Sequence, residues 1–257
     1  MKGLEIYESN NFTLCYNILD EVETRFIKSI LAYIINYPID WYNFLENVMK
    51  NNLLISYSNN AIIFSIEILA PQLKNSFKHI YDLMEKCGVI INKFEAKGFL
   101  VINVYSETIR NFFQKSGLWL EYITYLAFYE LGFNAYQGCL IKTNDGSIQE
   151  VDVLVNYNSI LFITECKDTY KYSNYDFLKL CNLKKKLKVK SYLLFVYTKD
   201  SPQIDLDNLK IDVIKYKYNY SEFKEQLKEI MIRKLIKLWY NLYGENNESI
   251  RCNKCIL

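Results

Sequence analysis

The sequence has little of several residue types on which common enzyme classes depend. Its 257 residues include one histidine, three prolines and eight glycines. A single histidine argues against zinc hydrolases and Ser-His-Asp hydrolases, because both need imidazole groups in their sites. So few prolines and glycines exclude collagen-like chains and chains dominated by loops. Hydrolysis by carboxylates, a lysine and a bound cation is compatible with this composition, because that mechanism needs no imidazole.

The chain also lacks the marks of membrane insertion and secretion. It contains no run of about 18 uncharged apolar residues, the length that a membrane-spanning helix needs. Its first residues show no apolar segment of the signal-peptide type. The seven cysteines are an odd number scattered along the chain, which indicates free thiols in a reducing compartment. These features predict a cytoplasmic protein with no membrane partner.

The composition indicates a folded chain without a strong charge bias. Hydrophobic residues make up 51% of the sequence, and the formal net charge is +2. The apolar fraction excludes global disorder, and the near-neutral charge excludes a histone-like binder while leaving room for a local basic groove. The length suits one large domain or two small ones.

The first half predicts an α+β domain over residues 1–112. Apolar residues at helical spacing predict helices over 20–37, 41–49 and 72–86. Paired apolar runs predict hairpins within 53–69 and 89–104. A helix followed by a hairpin matches the outline of a winged-helix module, and we expect this domain to serve recognition or regulation.

The second half, residues 113–257, predicts one mixed sheet flanked by helices. The patterns predict, in chain order, a helix over 119–131, strands over 134–141, 150–155 and 160–166, a helix over 176–188, strands over 192–198 and 211–218, and a closing helix over 222–243. The strand–helix–strand order near the end implies a right-handed crossover and hence a mixed sheet. The predicted class is therefore α+β, with an α/β arrangement in the second half.

Two acids and a lysine on the predicted strands carry the chemistry. Asp152 interrupts a strand of Val and Leu, where an unpaired carboxylate is costly. Glu165 and Lys167 alternate with Cys166, so they face one side of their strand and Cys166 faces the other. If the two strands are neighbours, Asp152 and Glu165 converge on one Mg²⁺ or Mn²⁺, which carboxylate oxygens suit. Such a cation would stabilise an attacked phosphate and activate a water. Lys167 would then position or deprotonate that water, or neutralise the phosphate.

A third acid, Glu121, opens the apolar helix that precedes these strands. It can supply a further carboxylate to the cation or support its ligands. A carboxylate in the first turn of a helix is also favoured by the helix dipole alone, so both interpretations stay open.

These residues carry a resemblance to a known superfamily. Asp152, the run Glu165-Cys166-Lys167 that begins 13 positions later, and Glu121 on the preceding helix resemble the PD-(D/E)xK nucleases. The runs GLWLE at 117–121, QEVDVL at 149–154 and ITECK at 163–167 further resemble the C-terminal nuclease domain of the CARF-domain CRISPR ancillary nucleases. The resemblance covers roughly residues 112–220.

The resemblance implies a restriction-endonuclease-like αβββαβ core and a metal-dependent endonuclease that cuts DNA, and also RNA, in prokaryotic antiviral defence. It implies Asp152 and Glu165 as ligands of Mg²⁺ or Mn²⁺, Lys167 as the catalytic lysine, and Glu121 and Glu150 as supporting acids. The resembled enzymes are switched on by cyclic oligoadenylates. The first half of this chain is too short for a full CARF sensor with its winged-helix linker, and it lacks a glycine-rich loop after its first strand. These departures argue against a cyclic oligoadenylate activator.

A basic stretch follows the proposed site. Residues 167–190 hold eight lysines against two aspartates. Lysines neutralise phosphates and tyrosines stack on unpaired bases, so we expect Lys171, Tyr172 and Lys179 to contact nucleic acid. For the lysines at 184–190 a solvated helix end is the favoured interpretation, because cations stabilise a helix C-terminus.

Three hypotheses on function follow from the sequence. The first is the endonuclease described above, the second a nucleic-acid-binding protein of the same fold that does not cleave, and the third a nuclease subunit of a transposition or restriction complex. The intact set of acids and lysine favours the first, since a degenerate member would be expected to lose one of them. The apolar face of the closing helix suits either internal packing or a homodimer interface.

Overall fold

The computed structural model describes residues 4–8, 12–49, 53–56, 60–65, 71–115, 117–169, 173–199 and 206–243. The strands in this part of the chain are β1 Leu4–Glu8, β2 Phe12–Asn17, β3 Leu53–Ser56, β4 Ala61–Ser65, β5 Ile90–Ala96, β6 Phe99–Val104, β7 Asn134–Thr143, β8 Ile148–Tyr157, β9 Ile160–Lys167, β10 Ser191–Tyr197 and β11 Ile211–Lys215. The helices are α1 Glu21–Asn36, α2 Pro38–Asn43, a π-helical segment Phe44–Met49, α3 Pro71–Lys86, α4 Glu107–Gln114, α5 Leu118–Glu130, α6 Asn174–Leu187, α7 Leu206–Leu209 and α8 Tyr220–Tyr243. This order confirms the predicted α+β class.

The larger sheet has seven strands in the order β1-β2-β7-β8-β9-β10-β11. Strands β7, β8 and β9 pair antiparallel, whereas β10 runs parallel to both β9 and β11. Helix α6 makes the connection between β9 and β10, as a parallel pair requires. The predicted mixed sheet with its αβββαβ order is confirmed.

Buried side chains lie on both faces of this sheet because its central strands are apolar throughout. One cluster joins Val153 and Cys166 to side chains of α1, α5 and α8. The other joins Leu154 and Ile163 to Phe177 and its neighbours on α6. Burial on both faces explains why β9 reads as an almost continuous apolar run. Within the described ranges, no helix has the length and apolar character needed to cross a membrane.

The smaller sheet belongs to the first half and has the order β3-β4-β6-β5, with antiparallel neighbours. Helix α3 precedes the β5–β6 hairpin, as predicted, and the hairpin lies within this four-stranded sheet. Helix α1 begins at a capping box in which Asp20 accepts from the N–H of Glu23 and Glu23 accepts from the N–H of Asp20. The single helix predicted over 41–49 is instead divided between α2 and the π-helical segment.

Strands β1 and β2 lie in the first half of the sequence but in the sheet of the second half. Strand β2 pairs antiparallel with β7, and Leu14 lies opposite Ile141. Sequence periodicity cannot reveal a pairing between strands so distant in the chain. The division into domains at 1–112 and 113–257 stays a prediction.

Candidate active site

The site forms where strands β8 and β9 separate. Their ladder runs from the Tyr157–Ile160 pair to the Val153–Thr164 pair, while β8 continues to pair with β7 as far as Ile148. At the point of separation, the Cys166 N–H donates to Oδ2 of Asp152 at 2.7 Å. The Asp152 carboxylate thus accepts a hydrogen bond from a backbone N–H of the neighbouring strand. The opening between the strands brings Asp152 close to Glu165.

Glu165 is 1% exposed and binds two lysines. Lys167 Nζ lies 2.6 Å from its Oε1, and Lys179 Nζ, on α6, lies 3.4 Å from its Oε2. Lys167 also lies 3.5 Å from Oδ1 of Asp176, in the first turn of α6. Both oxygens of Glu165 are therefore held by cations on the α6 side of the sheet.

Cys166 faces the opposite side, as the alternation predicts. Its thiol lies 3.6 Å from the hydroxyl of Thr124 on α5. Burial raises the pKa of the Cys166 thiol well above its ordinary value, and the Asp152 carboxylate raises it further. Cys166 is thus a neutral core residue and not a nucleophile.

Glu121 lies in the first turn of α5 and accepts a hydrogen bond from the Gln137 side chain of β7, at 2.8 Å. Burial raises the pKa of Glu121 well above its ordinary value, repulsion from Asp152 and Glu150 adds to the rise, and the Gln137 hydrogen bond opposes it. Glu121 therefore lies within electrostatic range of Asp152, although α5 packs on the other face of the sheet.

The electrostatics of the site show crowded negative charge. Asp152 is 9% exposed; burial and then repulsion from Glu165 raise its pKa to about 7, against the stabilising Cys166 N–H. Burial would lower the pKa of Lys167, but Glu165, Asp152 and Asp176 outweigh it and hold that pKa above its ordinary value. Lys167 is accordingly a cation at neutral pH.

The donor set suits a hard divalent cation. Carboxylate oxygens are the ligands that Mg²⁺ and Mn²⁺ prefer, and a cation between Asp152 and Glu165 would relieve the repulsion that raises the pKa of Asp152. Across the described ranges, no three His, Cys, Asp or Glu side chains form a ready-made metal-ligand group. A cation would therefore have to draw Glu165 away from its two lysines.

The predicted nucleic-acid contacts have different outcomes. The structure places Lys179 beside Glu165, at the edge of the site. Lys171 and Tyr172 lie outside the described residues. Gln137 and Asp176 are two further residues of the site to which the sequence patterns gave no role. A Ser-x-x-Asp spacing from Ser173 is a capping-box pattern that would have placed Asp176 at the start of α6, where it caps the helix. No local pattern marks Gln137.

Behind the site, a buried network joins β9 to the first half of the chain. Asp168, directly after Lys167, accepts hydrogen bonds from the Trp119 indole at 3.2 Å and from the Thr198 hydroxyl. Lys199 lies 3.7 Å from Asp168 and 2.6 Å from Glu46 of the π-helical segment. The end of the site strand is thus fixed to the Phe44–Met49 segment.

Comparison with solved structures places this fold among known proteins. The chain resembles Can2 from Sulfobacillus thermosulfidooxidans, solved in complex with cyclic tetra-adenylate, with a TM-score of 0.51 and 18% identity over 80% of this chain and 56% of that chain. It resembles protein VC1899 from Vibrio cholerae with a TM-score of 0.51 and 13% identity, over 85% of this chain and 57% of that one. The chain shares its fold with these two proteins. It spans a little over half the length of these two proteins.

Sequence comparison adds no family. No protein-family model matches the chain. A stretch of 76 residues is 37% identical to RNA-directed RNA polymerase L of Murine pneumonia virus (strain 15). This stretch covers 30% of this chain and 4% of the polymerase. The small subunit of the heterodimeric restriction endonuclease R.BspD6I overlaps with a TM-score of 0.29 and 22% identity, over 49% of this chain and 88% of that one, too low an overlap to carry an argument. The functional assignment therefore depends on the geometry of the site.

Proposed function

We propose that this protein is a divalent-metal-dependent endonuclease that hydrolyses phosphodiester bonds of DNA, with RNA as the alternative substrate, in prokaryotic defence. The observation that carries the proposal is the opening between β8 and β9, where Asp152 and Glu165 meet beside Lys167. Buried acids that repel each other are unfavourable for stability, and such strained groups cluster at functional sites. The αβββαβ order of the second half, which the resemblance to PD-(D/E)xK nucleases implies, supports the same proposal.

Each residue of the site has a role that its surroundings support. Asp152 and Glu165 would hold Mg²⁺ or Mn²⁺, and the bound cation would lower the pKa of a water and stabilise charge on the phosphate. Lys167, held as a cation, would orient the attacking water and neutralise the phosphate rather than accept a proton. Water attack on phosphorus forms one P–O bond while the ester P–O bond breaks, which leaves a phosphate monoester and a free hydroxyl.

Glu121 and Lys179 would complete the site from its two sides. Glu121 is oriented by Gln137 and lies near Asp152; its burial disfavours the ionised form, which a bound divalent cation would favour. When Glu165 binds a metal, Lys179 would lose its ion pair with Glu165 and bind a substrate phosphate instead. Lys171 and Tyr172 remain predicted contacts to nucleic acid.

Cleavage assays test the proposal directly. Pure protein is incubated with plasmid, single-stranded DNA or RNA, in Mn²⁺, Mg²⁺ or EDTA. We expect cleavage with metal, none in EDTA, and a loss of at least about a hundredfold in Glu165→Ala and Lys167→Ala. Glu225→Ala and Lys228→Ala, which break an exposed ion pair on α8, serve as matched controls with unchanged activity. An arm with cyclic tetra-adenylate, the ligand in the Can2 complex, tests whether an activator is needed.

The assays also separate the competing hypotheses. Tight binding of nucleic acid without cleavage under any metal would contradict the endonuclease and favour the non-cleaving protein of the same fold. Cleavage that appears only when a partner subunit is added would favour the nuclease subunit of a transposition or restriction complex. Sedimentation at several concentrations tests the homodimer.

A further inference from the structure

The outward face of α6 lines a cleft that begins at the site. Helix α6 buries Phe177, Leu180, Leu183 and Leu187 against the sheet. A cleft of about 470 Å³ runs along its opposite side. The cleft is lined by Gln149 of β8 and by side chains that share one face of the helix: Tyr175, Leu178, Lys179, Asn182, Lys185 and Lys186. Because Lys179 also binds Glu165, the cleft and the candidate active site are continuous.

An exposed aromatic ring and an exposed leucine stand on this face. Tyr175 is 74% exposed and Leu178 is 51% exposed. Neither side chain has a ring or hydrogen-bond partner among the described residues. Large exposed apolar side chains grouped beside charged ones are typical of interaction sites.

The three lysines at the end of α6 differ in ways that matter for binding. Lys184 points away from the cleft and is half-buried, and this burial lowers its pKa. Lys186 lies on the cleft and pairs with Asp145 at 3.2 Å, but exposed pairs of this kind are weak. Lys185 lies on the cleft with no ion pair in the described part of the chain.

Stabilisation of the helix end alone does not explain this face. Lysines in the last turn of a helix interact favourably with the helix dipole on any face of the helix. The dipole does not explain why Tyr175 and Leu178 are exposed at the start of the same face. The cleft carries positive charge beside the candidate active site, with the Tyr175 ring at the end nearer that site. Positive charge suits the phosphates of a nucleic-acid strand, and the ring suits its bases.

We propose that this face, Tyr175 to Lys186, binds a single strand of nucleic acid on one side of the bond to be cut. Tyr175 stacks on an unpaired base, and Lys185 and Lys186 bind phosphates further along the strand. The track is about 16 Å long, since each helical residue advances 1.5 Å. The inference rests on the proposed function for its position at the site, and it names the substrate class as unpaired rather than duplex nucleic acid.

The charge and the ring decide this occupant. Lysines attract phosphates whatever the sequence, and a tyrosine can stack only on a base that is not already stacked within a duplex. A face built for another protein would bury its apolar side chains in a dry centre with charges at the rim. Here Lys179 lies directly beside the two apolar side chains, and Lys185 lies further along the same face.

Binding measured without cleavage tests the inference. Fluorescence anisotropy in EDTA follows labelled oligo-dT, oligo-rU and a blunt duplex on wild type, Tyr175→Ala, Tyr175→Phe and Lys185→Ala. We expect Tyr175→Ala to weaken single-strand binding about tenfold and Tyr175→Phe to restore it, because stacking needs only the ring. Lys185→Ala should reduce the slope of log affinity against log salt by about 0.7, one phosphate contact.

Matched controls and outcomes keep the test decisive. Tyr240→Ala and Lys228→Ala replace exposed side chains on α8 and should bind as wild type does; circular dichroism confirms that every variant is folded.

The inference is overturned if Tyr175→Ala and Lys185→Ala bind like wild type, if wild type binds no oligonucleotide, or if duplex is preferred with no effect of Tyr175. If wild type binds single strands through this face yet cleaves nothing in Mn²⁺, the endonuclease fails and the inference stands. If it cleaves and these variants bind and cleave normally, the endonuclease stands and the inference fails.

Discussion

Asp152 and Glu165 place two carboxylates in the interior of the protein, where the charge of Glu165 disfavours the ionised form of Asp152. The Cys166 N–H satisfies one oxygen of Asp152, but among the described residues no cation lies as close to Asp152 as Lys167 lies to Glu165. Asp152 is thus the residue at which the requirements of the site and of stability conflict. Such conflicts are common at active sites, where stabilising changes remove function.

Substitution of Asp152 by Asn should separate these two effects. Asn keeps an oxygen for the Cys166 N–H and removes the repulsion with Glu165, so we expect Asp152→Asn to raise the free energy of unfolding in EDTA by about 1 kcal/mol. Wild type should gain stability from Mn²⁺, about 2.7 kcal/mol at a hundredfold excess over the dissociation constant, and Asp152→Asn should gain almost nothing. Thermal denaturation with and without Mn²⁺ measures both changes.

Glu225→Gln, on the exposed side of α8, provides the control and should alter neither value. An equal Mn²⁺ stabilisation of wild type and Asp152→Asn would show that Asp152 is not a metal ligand.

At this scale the sequence predicts side-chain direction well and contacts poorly. Strand alternation is a local property, so it correctly placed Glu165 and Lys167 on one face and Cys166 on the other. The hydrogen bond between Gln137 and Glu121 joins strand β7 to helix α5, and nothing in the neighbouring residues encodes it. The assigned roles of Asp152, Glu165, Lys167 and Glu121 remain predictions until cleavage is measured.

At the scale of elements, the end of β9 is held by charges supplied by two other parts of the fold. Lys199 follows β10 and is 6% exposed, and it reaches both Asp168 and Glu46. Its ammonium also lies 4.8 Å from the ring centre of Tyr42. A complete network of buried ion pairs adds little to stability, but the removal of one partner is strongly destabilising.

Removal of the Lys199 charge should therefore destabilise the protein strongly. We expect Lys199→Met to lower the free energy of unfolding by about 3 kcal/mol, because Glu46 and Asp168 lose their shared cation. Lys228→Met, which breaks the exposed 3.1 Å pair with Glu225, should lower it by less than about 1 kcal/mol. Urea denaturation of both variants measures the difference, and equal effects would refute a structural role for the buried network.

Elements were predicted where periodicity persists over many residues, as in α1, α5 and α8. The segment 41–49 shows the limit of that reasoning. Its apolar spacing predicts one helix, but the chain changes to π-helical geometry at Phe44, from which Glu46 reaches Lys199. A contact to a residue so far along the chain cannot be inferred from the local sequence.

At the scale of the whole molecule, the β1–β2 hairpin completes the sheet that contains the candidate site. Phe12 and Leu14 are buried in the same cluster as Cys139, Ile141 and Phe177. Without this hairpin, β7 would become an edge strand with unpaired backbone groups, which promotes association between chains.

A chain that begins at residue 18 should test this dependence. We expect it to melt at a lower temperature than the full chain and to self-associate as its concentration rises, because β7 is exposed. Leu14→Ala keeps the strand and removes one buried side chain, so it should lose about 2–5 kcal/mol while staying unassociated. Light scattering and thermal denaturation distinguish the two, and a truncated chain as stable and as soluble as the full one would contradict the role assigned to β1 and β2.

The pairing of β2 with β7 also has a consequence for synthesis on the ribosome. Residue 14 leaves the ribosome long before residue 141, its partner, and at 5–20 residues per second the delay is roughly ten seconds. During that interval the apolar side chains of β2 have no sheet to join, while the helices and the smaller sheet of the first half can already form. Strands β1 and β2 must thus wait for a strand of the second half before they can join their sheet, and nascent chains should depend on chaperones until β7 has emerged.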